Sequence, residues 1–153
     1  MRQHLPQPSA GDIQPLIDSH LGREGPLLPI LHSLQAAFGH VPQAAVPMIA
    51  EALNVTAAEV HGVMSFYHDF RDAPAGHHVV KICRAEACQA MGGAEVAEAA
   101  LARAGVAWHG TSVNGAVTVE PVYCLGLCAC GPAAMVDDRL VGRVGADDMD
   151  AIL

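Results

Sequence analysis

The chain has 153 residues, 52% of them hydrophobic and 16% charged, a balance that supports a packed core and excludes a disordered chain. Its formal charge is −8 and no segment is rich in Lys or Arg, so no nucleic-acid partner is expected. No stretch approaches the roughly 18 apolar residues of a membrane span, and the Pro- and Gln-rich start lacks the apolar run of a secretory signal, so a cytoplasmic protein without direct membrane insertion is expected.

In chain order, residues 1–11 read as loose. Ile13, Leu16, Ile17 and Leu21 stand at helical spacing, and Gly22-Arg23-Glu24-Gly25 breaks it. Pro26 opens a second helix with Leu27, Ile30, Leu31, Leu34 and Phe38 on its apolar face, and Gly39 closes it. A third helix carries Val46, Ile49, Ala50 and Leu53 and ends at Asn54. Thr56-Ala57-Ala58-Glu59 is a capping box for a fourth, with Val60, Val63 and Met64. These faces predict a helical bundle over residues 1–74, with a linker near Asp72-Ala73-Pro74-Ala75-Gly76.

The pattern then changes. Residues 77–83 read as a strand ending on a cysteine. A helix follows Gly92-Gly93 through Val96, Ala97, Ala100 and Leu101 and stops at Gly105. Asn114-Gly115 marks a turn, and residues 116–123 read as a second strand, with Cys124 next. A hairpin of Ala134–Val136 and Leu140–Val144 and a short last helix after Asp147 or Asp148 complete the segment. The expected class is α+β: a helical bundle followed by a small mixed domain over residues 75–153.

That second part holds five cysteines, Cys83, Cys88, Cys124, Cys128 and Cys130. In a cytoplasmic setting such a set points to metal or redox chemistry rather than to a disulfide frame. The pairs Cys83-x4-Cys88 and Cys124-x3-Cys128 each follow a predicted strand, in loops rich in glycine. A 2Fe-2S cluster needs two protein thiolates per iron, because bridging sulfides occupy the remaining positions. Two separated pairs meet that demand, and Gly92, Gly93, Gly126 and Gly131 allow close backbone approach. On spacing alone, a structural zinc site and reactive or structural thiols stay open beside the iron–sulfur centre. A thioredoxin-type dithiol lacks its Cys-x-x-Cys, and a Rieske centre lacks histidines at the right spacing.

Other candidates read as structure. His61 and His68 are expected to be solvent or interface histidines. Phe66, Tyr67 and Phe70 are expected in packing, with partner contact as the alternative, and Trp108 could serve either purpose. The acidic end from Asp137 to Asp150 reads as turn and cap chemistry. No dinucleotide fingerprint or phosphate loop is present, so no NAD, flavin or molybdenum site and no catalytic residue is assigned.

The run Cys124-Leu125-Gly126-Leu127-Cys128-Ala129-Cys130-Gly131-Pro132-Ala133-Ala134-Met135-Val136 resembles the thioredoxin-like 2Fe-2S subunits of NAD-linked complexes. Leu27-Leu28-Pro29-Ile30-Leu31, Gly39-His40-Val41-Pro42 and Val60-His61-Gly62-Val63-Met64-Ser65-Phe66-Tyr67 carry the same likeness, which runs from about residue 13 to 153. The family includes the small peripheral-arm subunit of respiratory complex I, the gamma subunit of NAD-dependent formate dehydrogenase and counterparts in NAD-linked hydrogenases. Phe70-Arg71 and the run Cys83–Gly92 resemble the formate dehydrogenase branch most.

The resemblance implies a thioredoxin-like second half with one 2Fe-2S cluster on Cys83, Cys88, Cys124 and Cys128, and Cys130 outside the ligand set. It implies an electron-transfer subunit rather than a complete enzyme. Its partners would be a flavin- and NAD-binding subunit and, in the formate branch, a molybdenum- and iron-sulfur-containing catalytic subunit. A structural zinc module and a thiol-based regulator using Cys130 are the competing classes.

Overall fold

Four helices form from the four periodic segments of the first half. A computed structural model describes residues 7–153, and the chain divides into two compact units, taken in turn over residues 7–74 and 75–153.

In the first unit, α1 (Ala10–Asp18) starts at Ser9, whose amide and hydroxyl both donate to the Asp12 carboxylate at 2.9 and 2.6 Å. This helix begins earlier than its apolar spacing predicts and stops before Leu21, which is exposed. Of the expected loose start, residues 7–9 have no regular structure and Ala10 and Gly11 are already helical; residues 1–6 lie outside the described residues. Helix α2 (Leu27–Phe38) ends on Gly39 and α3 (Ala45–Leu53) on Asn54, both in the left-handed conformation that stops a helix. Helix α4 (Ala57–Phe66) starts at Thr56: its hydroxyl accepts from the Glu59 amide at 3.2 Å, while the Glu59 carboxylate accepts from the Thr56 amide at 2.7 Å. Those bonds from Thr56, its amide first, hold the Glu59 carboxyl below its ordinary value. Thr56→Ala is expected to cost about 1 kcal/mol of stability, measurable as a lower urea midpoint at unchanged slope.

The apolar faces of α1–α4 close on one core that includes Ile13, Ile17, Ile30, Leu31, Leu34, Ile49 and Val60. The segment after α4 folds back onto α2 through Gln35. Its amide nitrogen donates to the Asp69 carbonyl at 2.6 Å, and its oxygen accepts from the Arg71 amide at 2.7 Å.

The second unit is a four-stranded sheet in the order β2-β1-β3-β4. Strand β1 (His78–Cys83) pairs parallel with β2 (Val117–Val122) in the register Val80↔Val119 and Cys83↔Val122. A parallel pair needs a crossover, supplied by α5 (Glu86–Ala90) and α6 (Gly93–Ala104). Strand β3 (Ala133–Val136) runs antiparallel to β1, and β4 (Arg139–Gly142) antiparallel to β3. Val80, Ile82, Val117, Val119 and Ala134 pack against Val96, Ala97 and Ala100 of α6 and against Met149 of α7 (Met149–Ile152). Strand β2 is one residue shorter at each end than its sequence suggests, and β4 starts at Arg139 and stops at Gly142, before Arg143, which takes a positive φ.

The β3–β4 turn is tied to β1 by Asp137, which accepts from the His78 ring at 2.9 Å and from the Val79 amide at 2.9 Å. The His78 bond, then the Val79 amide, hold the Asp137 carboxyl below its ordinary value. A depressed carboxyl contributes stability above its unfolded pKa and loses it as pH falls through the folded one. Because the pair is largely solvent-exposed, the effect is small. The stability gap between wild type and Asp137→Asn is therefore expected to narrow below about pH 4, as read by denaturant unfolding across an acid series. Among the described residues, no helix is long and apolar enough to cross a membrane.

Candidate metal centre

The parallel pairing of β1 with β2 brings the two cysteine segments to the same end of the sheet. Cys83 is the last residue of β1 and is paired in register with Val122, the last residue of β2, two residues before Cys124. Cys88 lies on α5, and Cys128 opens a 3-10 turn that runs to Cys130. Around Cys83 and Cys88 gather Ala85, Val122, Leu125, Leu127 and Ala133, a small apolar cluster separate from the sheet core.

The sulfurs are arranged two and two. Cys124 Sγ and Cys128 Sγ are 3.7 Å apart. Two thiolates at about 2.3 Å from one tetrahedral metal lie about 3.8 Å apart, so this pair already has the spacing of two ligands on one ion. Cys83 and Cys88 are hydrogen-bonded to one another, and Cys128 interacts electrostatically with both. Among the described residues, no group of three or more His, Cys, Asp or Glu side chains gathers around a single ion position. The donor set of soft thiolates in two adjacent pairs fits one 2Fe-2S cluster, which needs two thiolates at each iron.

The surroundings of the sulfurs differ. Burial pushes the Cys83 thiol up, but the amides of Ala85, Cys124 and Leu125 and the Cys88 side chain stabilise its thiolate, and the balance falls below the ordinary value. Cys88 is pushed up by burial and by the bond to Cys83, with the Ala133 amide working against them. Cys128 is raised by its bond to Cys124 and by the charge of that neighbour. The backbone around Cys83 thus presents N–H groups toward sulfur, as an anionic centre in an apolar pocket requires. The Gly126 amide donates to Cys124 Sγ at 3.4 Å. Cys83 and Cys88 are each only 2% exposed, whereas Cys124 and Cys128 are exposed, so one pair is inside and the other faces out.

One glycine makes room for this arrangement. A Cβ on Gly93 would stand 2.6 Å from the Cys88 carbonyl oxygen, far inside contact distance, whereas one on Gly131 would meet Cys88 Sγ at 3.5 Å, an ordinary contact. Cys124 adopts φ 95°, a strained left-handed backbone for a residue with a Cβ.

The four cysteines singled out in the sequence therefore meet at one place. Cys130 stands beside them: its amide donates to the Leu127 carbonyl at 2.8 Å, and its carbonyl accepts from the Arg143 amide at 2.7 Å. Sequence reasoning missed α5, too short for periodicity to register; the close approach expected at the glycines near the cysteines is found at Gly93, against Cys88. Sequence reasoning also missed Arg84, whose guanidinium lies 5.4 Å from the Trp108 ring centre, a cation–π contact that gives the tryptophan a structural partner.

Comparisons with known proteins bear on the family. The family model for the thioredoxin-like [2Fe-2S] ferredoxin matches residues 13–153. The chain is 30% identical over 149 residues to the HndA subunit of the NADP-reducing hydrogenase of Solidesulfovibrio fructosivorans, covering 97% of this chain and 87% of that one. It is 34% identical over 123 residues to a subunit of the NADH-quinone oxidoreductase of Pseudomonas aeruginosa, covering 80% and 74% respectively. Among solved structures, an NAD+-reducing [NiFe]-hydrogenase in the air-oxidized state matches with a TM-score of 0.67 at 22% identity, a likeness of fold. That match covers 82% of this chain, which spans about a fifth (21%) of the hydrogenase chain. With its helices first and its four-stranded sheet second, the chain belongs to the thioredoxin-like [2Fe-2S] ferredoxin family, which implies one 2Fe-2S cluster.

Proposed function

We propose that this chain is an electron-transfer subunit of an NAD-linked oxidoreductase complex, with one 2Fe-2S cluster held by Cys83, Cys88, Cys124 and Cys128. The observation that carries this reading is the meeting of two thiol pairs at the shared end of β1 and β2, within a family whose relatives are subunits of pyridine-nucleotide oxidoreductases. When bound, the cluster supplies one-electron oxidation and reduction. The protein's part is to hold and tune. Cys83 and Cys88 anchor the inner side in an apolar cluster, and the amides of Ala85, Cys124 and Leu125 place positive dipole ends at Cys83. Gly126 does the same for Cys124. The exposed Cys124–Cys128 side is where a redox partner would come nearest. No side chain is assigned to bond-making or bond-breaking.

The finer reading is the NAD-dependent formate dehydrogenase, which converts formate and NAD+ to CO2 and NADH. It rests on the likeness of Phe70-Arg71 and of the run Cys83–Gly92 to the gamma subunit of that enzyme. In it, a flavin- and NAD-binding subunit and a molybdenum- and iron-sulfur-containing subunit are the partners, the site of action is cytoplasmic, and residues 1–74 serve docking while residues 75–153 carry the cluster. The test is anaerobic purification of the tagged full chain from its own organism. The expected result is co-purification of an NADH-reactive subunit and, for the finer reading, formate-dependent reduction of NAD+. A complex that reduces NAD+ with hydrogen, or oxidises NADH with quinone, would move the chain to a hydrogenase or complex I. A free chain with no NADH-reactive partner would overturn the subunit reading.

A further inference from the structure

The two faces of the sheet differ. Val80 and Ile82 of β1 and Val117 and Val119 of β2 pack on the α6 side, in an apolar core. Side chains alternate along a strand, so the opposite face carries Lys81 and Cys83 from β1 and Thr118, Glu120 and Val122 from β2. A parallel pair buried on both faces ordinarily reads as continuous hydrophobic sequence. Here the second face is polar and still little exposed: Thr118 is 3% and Glu120 7% exposed, and the Lys81 side chain 17%.

Thr118 has a structural reason to be there. Its hydroxyl accepts from the Gly76 amide at 2.7 Å and meets the Thr111 hydroxyl at 2.8 Å. Lys81 and Glu120 are a different case. They stand opposite each other in the β1–β2 register, with Lys81 Nζ 4.0 Å from Glu120 Oε2. A buried ion pair is weak evidence for stability, because apolar residues of similar volume often serve a fold as well or better. The pair calls for a reason beyond folding.

Its position supplies one. Lys81 is two residues from Cys83 on the same face, about 7 Å along the strand. Glu120 lies on the neighbouring strand, about 5 Å to the side of Lys81. Cys83 itself is 2% exposed. Charges at this range in so little exposed a place interact strongly and are screened little by salt. Reduction of the cluster takes one electron, converts one ferric iron to ferrous and makes the centre more negative by one charge. A nearby cation favours the reduced state, and a nearby anion opposes it.

Resting on the four-cysteine ligand set proposed above, we infer that the Lys81–Glu120 pair sets the reduction potential of the centre. Lys81 raises it, Glu120 lowers it, and together they nearly cancel. Both are positioning residues of charge, and neither is a ligand.

The test is a dye-mediated redox titration of the full chain, purified anaerobically and followed by visible absorption and EPR, with dithionite as reductant. Wild type is compared with Glu120→Gln, Lys81→Gln and the double variant Lys81→Met/Glu120→Leu, with iron content and Tm measured on each. At the wild-type midpoint, the ratio of reduced to oxidised cluster is expected to rise at least threefold in Glu120→Gln and to fall at least threefold in Lys81→Gln. Threefold corresponds to about 28 mV for a one-electron centre, at about 59 mV per tenfold. The double variant should return to within about twofold of wild type, with an equal or higher Tm. A merely structural pair would change Tm without these opposed shifts. Either single shift with its sign, cancelled in the double variant, supports the inference and suffices if the other single variant loses its cluster. Unmoved midpoints in the single variants, shifts of one sign in both, or a shift that persists in the double variant overturn it and leave the ligand set standing. Loss of the cluster from both single variants makes the pair structural and overturns it as well. A wild type without iron and sulfide fails the ligand set, and this inference with it.

Discussion

Cys83→Ser is expected to abolish the visible absorption of the purified protein, or to reduce it severalfold with a shifted spectrum. Of the four thiols, Cys83 is the one held most firmly by backbone: it ends β1 in register with Val122, lies in an apolar cluster, and faces the amides of Ala85, Cys124 and Leu125. A serine hydroxyl is a harder and weaker ligand than a thiolate. It would also replace the anionic acceptor of those amides by a neutral hydroxyl, exchanging charge-assisted hydrogen bonds for weaker ones. The loss should therefore appear in iron content and, to a smaller degree, in Tm. Cys130→Ser is the internal control. Cys130 engages Leu127 and Arg143 through its backbone, and serine keeps that backbone intact. It should leave absorption and iron content within error of wild type. If Cys130→Ser empties the centre while Cys83→Ser does not, the ligand set proposed above is wrong.

The second large effect is expected at a residue with no chemistry of its own. Gly93→Ala puts a methyl group 2.6 Å from the Cys88 carbonyl oxygen and 2.9 Å from its carbonyl carbon. These are backbone atoms, so no side-chain rotation relieves the clash. Either α6 moves away from α5 or the Cys88 segment shifts. Overpacking of this kind costs about 1–3 kcal/mol, occasionally more, and here it also displaces one sulfur of the inner pair. The variant should unfold at lower denaturant and be isolated with less iron than wild type. Gly62→Ala, also at a helical glycine, is the matched contrast, because its methyl meets open space. It should keep full iron content and gain up to about 1 kcal/mol from helix propensity. Equal iron content in the two variants would show that contact with Cys88 is not what demands glycine at position 93.

Much of the fold was legible because the signals were local. Gly39, Asn54 and Gly105 stop helices where the sequence places them, and the Thr56–Glu59 box starts α4 where it is written. What was not legible depends on distant parts of the chain or on elements too short to show a pattern. Helix α1 begins at Ala10 because Asp12 reaches back to Ser9, a bond that apolar spacing does not register. Helix α5 has five residues, too few to show a period, yet it places Cys88.

The site divides in the same way. Pairing Cys83 with Cys88 and Cys124 with Cys128 follows from spacing, and the parallel β1–β2 register explains why the pairs meet. Spacing says nothing of which pair is inside. That depends on the apolar cluster of Leu125, Leu127, Val122 and Ala133 around the first pair, assembled from separate segments. Nor does it predict the left-handed backbone at Cys124, which only the surrounding structure can hold in place. The aromatics near residue 66 divide as well: Phe70 packs on the helical core, as a packing role predicts, while Phe66 stays exposed.

The most direct test of the central claim is the metal and sulfide content of the wild-type chain, purified anaerobically, together with its EPR spectrum before and after reduction by dithionite. The expected result is a red-brown protein with iron and acid-labile sulfide in equal amounts, about two of each per chain, silent before reduction and giving an S = 1/2 signal after it. A colourless protein with one zinc per chain, no sulfide and no signal would contradict it.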